Sequence, residues 1–319
     1  MIWIQHVHKK FGSQRALDGL SLMVPEGKVF GLIGPNGAGK TTTIRILCGL
    51  IRPDQGSVEI NGAGLEEPQK IRSMVGALIE QPGLYGKLTL LEYLTFFARL
   101  HELHRSQARK RIQELLELLE LEDLVRERLQ GFSLGMKQKV ALARILLHDP
   151  PVLLLDEPTA GLDPLITKKV RDHILGPNDR TRKTVLVSTH NLDEASRVCD
   201  EIAIIRKGRI AAKGSWEALR RQLGGTGQVT VQLREADESY RAVLEEVEDL
   251  SDLRLDIEGR RLSYSSHEPA QTNPEVIARL VSRGAAIVSV QIGGATLEAA
   301  YLELTRETEP GQQEKGKSR

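Results

Sequence analysis

The sequence predicts an α/β core followed by a small α+β domain. Three observations carry that prediction. Val29 to Ile33 is an uninterrupted apolar run that leads into the glycine-rich Gly34-Pro35-Asn36-Gly37-Ala38-Gly39-Lys40-Thr41 and then into a helical pattern. A second apolar run, Val152 to Leu155, ends abruptly in the acids Asp156 and Glu157. Beyond the flexible Leu223-Gly224-Gly225-Thr226-Gly227, strand and helix patterns follow in the order βαββαβ.

The glycine-rich stretch fits the phosphate-loop pattern at every fixed position. Its glycines let the backbone wrap a polyphosphate with the N–H groups turned inward, and the N-terminus of the next helix adds its dipole. Lys40 can reach the β- and γ-phosphates, and Thr41 can offer its hydroxyl to Mg²⁺. A plain Gly-rich turn between strand and helix is the bland alternative, and the full match argues against it. Gly34, Pro35, Asn36, Gly37, Ala38, Gly39, Lys40, Thr41 and Thr42 are therefore the candidate nucleotide-binding residues. The chain is expected to bind a nucleoside triphosphate.

The other elements follow in order. Ile2, Ile4 and Val7 mark a first strand, and Leu20 to Val24 a second, turned by Pro25-Glu26-Gly27 into the phosphate-loop strand. Phe11, a little upstream of the loop, reads either as core filling or as an aromatic platform for an adenine ring. Ser57 to Ile60 and Met74 to Ile79 are further strands, the latter broken by Pro82-Gly83. From Leu88 to Leu129 the pattern turns helical, with Ile112, Leu115, Leu116 and Leu119 as the apolar face of a helical subdomain. His101 and His104 share a face there and read as solvated, with metal binding as the alternative. Gly131 to Gln138 reads as a loop entering the helix Val140 to Leu147, with Ser133 and Gly135 where a helix begins, a second anion site.

Asp156 and Glu157 end an apolar strand downstream of a phosphate loop. That makes Asp156 the metal-side acid and Glu157 the candidate general base for an attacking water. A pair of capping acids is the bland reading. Thr184 to Ser188 is another buried strand, ending in Thr189-His190, where a histidine can approach a γ-phosphate. Ile202 to Arg206 and Arg209 to Lys213 form a hairpin turned at Lys207-Gly208.

With 319 residues the chain has room for a sizeable core and two domains. A net charge of +1 gives no global pull towards nucleic acid or anionic lipid. Cys48 and Cys199 lie in no metal or redox spacing and read as reduced thiols of a cytosolic protein. No apolar run approaches a bilayer span and no signal-peptide core opens the chain. If membranes matter, another polypeptide spans them.

Together the phosphate loop, FSLGMKQ, LLLDEP, GLD and STH resemble the ATP-binding subunit of an ABC transporter over about residues 1–222, in the family's order. The resemblance implies a P-loop ATPase core with an antiparallel β subdomain and a helical subdomain. It implies ATP and Mg²⁺ as cofactors. Two copies, or this chain and a close paralogue, would pair head to tail, with ATP held between one phosphate loop and the partner's signature loop, here Ser133, Leu134, Gly135 and Met136. Glu157 would be the catalytic carboxylate, His190 the switch histidine, Asp163 a contact across the dimer, and Phe11 the adenine platform. Asp156, Thr41 and Glu80 would hold the metal. A transmembrane permease would be the partner, with the chain peripheral at the cytoplasmic face of the cell membrane and nucleic acid not among its ligands.

Two departures stand out. The family signature usually reads LSGGQ; here it is Phe-Ser-Leu-Gly-Met, which keeps Ser133 and the Gly135 backbone. Glu80 falls where the family has a glutamine that ligates Mg²⁺ and senses the permease, and a one-residue shift would put Gln81 there instead. Both variants resemble a subgroup that exports drugs, peptides or lipids through a separately encoded permease.

Residues 228–305 are expected to form a ferredoxin-like accessory domain. Its strands are Val229 to Leu233, Leu253 to Ile257, Arg261 to Ser265 and Ile287 to Ile292. Its helices are Glu238 to Val247 and Pro274 to Arg283, the latter capped by Asn273, with a last amphipathic helix Thr296 to Thr305. No cluster of His, Cys or paired acids assigns it chemistry, and a regulatory or dimer-supporting role follows from resemblance. Residues 306–319 contain no large apolar residue and read as a disordered tail. A soluble ABC protein acting on ribosomes or DNA is the alternative function, but such proteins generally carry two ATP domains or a long coiled-coil insertion. A kinase using the same loop would need an acceptor-substrate site, and none is legible.

Overall fold

The structure, a computed structural model, describes residues 1–79, 83–159, 162, 164–175, 183–222, 227–244, 246–266 and 268–293. The chain divides into two compact units, Met1–Trp216 and Glu217–Arg319.

The first unit holds two sheets. The long strands β1 (Ile2–Phe11) and β2 (Gln14–Val24) pair antiparallel, and β4 (Gln55–Ile60) and β5 (Ala63–Gly64) extend them in the order β2-β1-β4-β5. Alternation in β1 buries Ile2, Ile4 and Val7 and leaves Trp3 and Gln5 exposed, as expected for a sheet with one covered face. The second sheet is mostly parallel. It is built from β3 (Val29–Ile33), β6 (Val75–Leu78), β7 (Val152–Asp156), β8 (Thr184–Thr189), β9 (Glu201–Arg206) and β10 (Arg209–Gly214), in the order β10-β9-β3-β8-β7-β6. Every residue of β3, β7 and β8 is buried, which is why these strands read as continuous apolar runs and not as alternating ones. Helix α1 (Lys40–Leu47) leaves the phosphate loop, and α2 (Pro68–Met74) precedes β6.

The expected helical stretch resolves into α3 (Leu90–Leu100) and α4 (Arg105–Leu119), followed by two single 3₁₀ turns. Thr89 and Glu92 close a capping box on α3, each accepting the other's backbone N–H. Ile112, Leu115, Leu116 and Leu119 are buried as their spacing predicts and share a core with Leu90, Tyr93 and Leu94. His101 is not solvated: its ring is half-buried and stacks on His148 at 3.8 Å between centroids. His104 caps α4 without a side-chain bond to its backbone and sits 2.9 Å from Ser106 Oγ. Among the described residues no group of three or more His, Cys, Asp or Glu could hold a metal ion. Helix α5 (Leu134–Leu146) begins earlier than expected, so Leu134 to Gln138 are helical and not a loop. The reason is local: Ser133 Oγ accepts the Met136 N–H, and the Ser133 carbonyl accepts the Lys137 N–H. Helices α6 (Pro164–Leu175) and α7 (Leu192–Val198) complete the run, and α8 (Trp216–Gln222) begins where the first unit ends. Both cysteines are free thiols, and burial pushes Cys48 up to about 12.

In the second unit, β11 (Gly227–Leu233), β12 (Ser251–Asp256), β13 (Arg261–Ser266) and β14 (Ile287–Gly293) form one antiparallel sheet in the order β12-β13-β11-β14. Helices α9 (Ser239–Leu244) and α10 (Pro269–Ser282) fall between them as βαββαβ requires, and the strand order is the one that a ferredoxin-like sandwich produces. Val229, Val231, Leu262, Tyr264, Val276 and Leu280 form its core. One expectation fails here. Pro274 lies inside α10 and Asn273 does not cap it; Pro269 takes the first helical turn instead, and Glu268 is the N-cap. Asn273 is buried, and its Oδ1 accepts the Tyr264 hydroxyl at 2.6 Å. Removing that hydroxyl leaves a buried amide oxygen without its donor. Tyr264→Phe is therefore expected to destabilise this unit by about 1–3 kcal/mol, read by denaturant unfolding. The expected helix Thr296 to Thr305 and the tail lie outside the described residues.

Candidate active site

Register in the parallel sheet gathers the motifs. Ile33, which ends β3, pairs with Thr189 of β8, and Ser188 of β8 pairs with Asp156 of β7. Three strand ends therefore meet at one carboxyl edge, where doubly wound sheets bind their ligands. The phosphate loop leaves the first, Asp156-Glu157-Pro158 the second and His190 the third.

The loop is fixed from outside. Gly39 has φ +113, and a Cβ there would stand 2.7 Å from the Ala16 carbonyl, so only glycine fits that corner. Lys40 is almost wholly buried, and its Nζ donates to the carbonyls of Gly34 at 2.6 Å and Pro35 at 3.2 Å. Burial lowers its pKa from the ordinary lysine value, opposed by the carboxylates of Glu157 and Asp156. Thr41 Oγ1 donates to Asp156 Oδ2 at 2.7 Å, and Ser188 Oγ donates to Asp156 Oδ1. A hydroxyl and a carboxylate are thus paired beside the loop, a hard-oxygen set that fits Mg²⁺.

Glu157 is held in an unusual way. Its φ of 48° lies in the left-handed region, which is strained for a glutamate. Its N–H donates to the Ser188 carbonyl at 2.9 Å, and Gln138 Nε2 donates to the carbonyls of Glu157 at 3.5 Å and Pro158 at 3.2 Å. Its carboxylate accepts from the His190 backbone N–H at 3.1 Å, lies 2.8 Å from His190 Nδ1 and accepts from Thr189 Oγ1 at 3.3 Å. The surrounding elements determine the strained backbone, and the side chain is aimed by three contacts. Sequence reasoning gave no site role to Ser188 and Thr189 of β8, nor to Gln138, a polar residue on the buried face of α5. For Gln138 the available signal was its position at apolar helical spacing.

Phe11 is exposed, which excludes core filling, and Lys9 Nζ lies 5.6 Å from its ring centroid. Ser133, Leu134, Gly135 and Met136 make the first turn of α5, with Leu134 exposed. Glu80, Gln81 and Asp163 lie outside the described residues. In the helical subdomain, α3 and α4 flank a groove of about 870 Å³, with Ala98, Ile112 and Leu116 as apolar lining and three arginines, Arg99, Arg105 and Arg109, against two glutamates, Glu117 and Glu122.

The chain is similar to known proteins. The ABC transporter family matches residues 17–160. The daunorubicin resistance ATP-binding protein DrrA3 of Streptomyces coeruleorubidus is 36% identical over 308 residues, covering 95% of each chain. The linearmycin resistance ATP-binding protein LnrL of Bacillus subtilis (strain 168) is 30% identical over 316 residues, covering 97% of this chain and 99% of its own. A dimeric ATP-binding cassette solved in a post-hydrolysis state with ADP and Pi is 30% identical, with a TM-score of 0.62 over 67% of this chain and 98% of that one. With relatives this similar along nearly its whole length, the chain belongs to the ATP-binding subunits of ABC transporters, and it is an ATPase.

Proposed function

We propose that the chain hydrolyses ATP to drive export of a small molecule, peptide or lipid through a separately encoded membrane permease, with Glu157 as general base. The observation that carries this reading is the meeting of Lys40, Thr41, Asp156, Glu157 and His190 at one sheet edge. Lys40 and the loop's N–H groups bind the β- and γ-phosphates. Glu157 orients a water and takes its proton as the water oxygen bonds to the γ-phosphorus and the β–γ bridging oxygen leaves with ADP. His190 holds the Glu157 carboxylate in line. Thr41 and Asp156, with Glu80 or Gln81, hold Mg²⁺, which when bound neutralises charge on the phosphate oxygens. Phe11 stacks on adenine.

Family members work with membrane permeases, and a dimeric cassette structure is among the similar ones. For this chain we infer a head-to-tail pair, with itself or a close paralogue, in which the partner's Ser133 turn completes the ATP site and Asp163 lies at the contact. Relatives named for daunorubicin and linearmycin resistance support export. Among the described residues no helix is long and apolar enough to cross a membrane. From its likeness to transporter subunits, the chain is proposed to sit at the cytoplasmic face of the cell membrane, held there by the permease, with no nucleic-acid partner. The groove between α3 and α4 suits an amphipathic permease segment, apolar towards Ile112 and Leu116 and acidic towards the three arginines. A photocrosslinker at Leu91, on that groove, tests this in cells. The expected product joins the chain to a polypeptide with several apolar spans of about 20 residues. A ribosomal or DNA-bound product would favour the soluble alternative.

A further inference from the structure

The phosphate loop is braced by a cluster that the hydrolytic chemistry does not use. The turn between β9 and β10 is Lys207-Gly208, with φ values of 47° and 77°. Gly208 N–H donates to the Ala38 carbonyl at 3.0 Å, inside the phosphate loop, and the Gly208 carbonyl accepts the Asp18 N–H of β2 at 3.0 Å. One residue thus ties a distant strand to the loop. The fit is close: a Cβ on Gly208 would stand 2.7 Å from both the Ala16 carbonyl oxygen and Leu17 Cα.

The side chains beside this bridge reinforce it. Asp18 Oδ2 accepts from Arg209 Nε at 2.8 Å and lies 2.6 Å from Arg209 Nη2. Its Oδ1 accepts from Arg15 Nη1 at 2.8 Å and lies 3.4 Å from His8 Nδ1. Hydrogen bonds from Arg209 and then Arg15 hold the carboxyl below the usual carboxylate range. Arg209 immediately follows Gly208, so gripping its guanidinium grips the turn.

We propose that Asp18, Arg209 and the Gly208 turn form a clasp that aims the phosphate loop, making Asp18 and Arg209 positioning residues for ATP. The physical link is the peptide joining Ala38 to Gly39. A trans peptide points its C=O and N–H in opposite directions, so anchoring the Ala38 carbonyl on Gly208 fixes the direction of the Gly39 N–H. That N–H opens the helix that faces the phosphates. Loosening the clasp frees this peptide to rotate, and the loop then has to be ordered at the expense of nucleotide affinity. Neither Asp18 nor Arg209 acts on the reacting atoms, so the cost falls on binding and not on the chemical step.

The inference rests on the phosphate loop being the ATP site. It is tested in the full chain with Asp18→Asn, Arg209→Leu and Arg209→Lys, using ATP hydrolysis kinetics, titration with a fluorescent ATP analogue, and thermal unfolding without nucleotide. Asp18→Asn and Arg209→Leu should raise KM and Kd together by about three- to tenfold, with kcat within about twofold. Arg209→Lys should recover part of the loss, because it keeps the charge without the fork. Gly208→Ala, whose new Cβ pushes the turn off β2, should raise KM further. Unchanged KM in both Asp18→Asn and Arg209→Leu would overturn the clasp. So would an activity loss that merely tracks a lowered unfolding midpoint. If the unaltered chain bound no nucleotide, the ATP-site reading itself would fail, a result distinct from either.

Discussion

Glu157→Gln is expected to slow steady-state ATP hydrolysis by roughly 10²–10⁴-fold while ATP affinity changes by less than about threefold. Glutamine has nearly the shape of glutamate, so its one amide oxygen can still accept the His190 N–H, while its NH₂ takes the place of the oxygen facing Thr189 Oγ1, a hydroxyl that can turn to accept instead. The backbone at this position is held by Ser188 and Gln138 and not by the carboxylate, so the strained φ survives the change. What is lost is the proton acceptor. Phosphate release gives the rate and equilibrium titration the affinity. A rate near that of the unaltered chain would assign the base elsewhere.

Lys40→Ala should act on the other half of the process. Its Nζ lies among the loop carbonyls of Gly34 and Pro35, almost fully out of water, with Asp156 and Glu157 near enough to influence its charge. A buried cation that meets phosphate through charge-assisted bonds contributes to binding itself. Its removal should weaken ATP affinity about 10- to 100-fold. The same titration that leaves Glu157→Gln near normal should therefore separate the two variants. Equal affinity losses in both would mean that Glu157 also holds the nucleotide.

The candidate site residues stand out in the sequence because each lies in a contiguous stretch whose flanks announce its setting. Gly34 to Thr41 follows an apolar strand, and Asp156-Glu157 ends another. Their meeting needed the sheet order, since residues 33, 156 and 189 become neighbours only once β8 lies between β3 and β7. Gln138 was missed because its carbonyl partners lie about twenty residues on, across a tertiary contact. Gly131 to Gln138 read as a loop because the apolar helical pattern begins at Val140, yet the Ser133 cap starts α5 at Leu134. In the second unit Asn273-Pro274 mimicked a cap followed by a first-turn proline. Glu268-Pro269 made the same offer earlier, and burial of Asn273 against Tyr264 fixed which pair begins the helix. His101 stacks on His148, forty-seven residues away, a partner that no local pattern names.

In the proposed head-to-tail pair, ATP itself joins the two subunits, one phosphate loop against the partner's Ser133 turn, and two copies of this chain are the simplest such pair. Light scattering on the purified full-length Glu157→Gln chain tests this most directly, because ATP binds but is not consumed. Without nucleotide the mass should be that of one chain, 35.4 kDa. With ATP and Mg²⁺ it should double, and Ser133→Arg in the same background should keep ATP bound while returning the mass to that of one chain. A single-chain mass with ATP demonstrably bound, or a dimer indifferent to both ATP and Ser133→Arg, would contradict it.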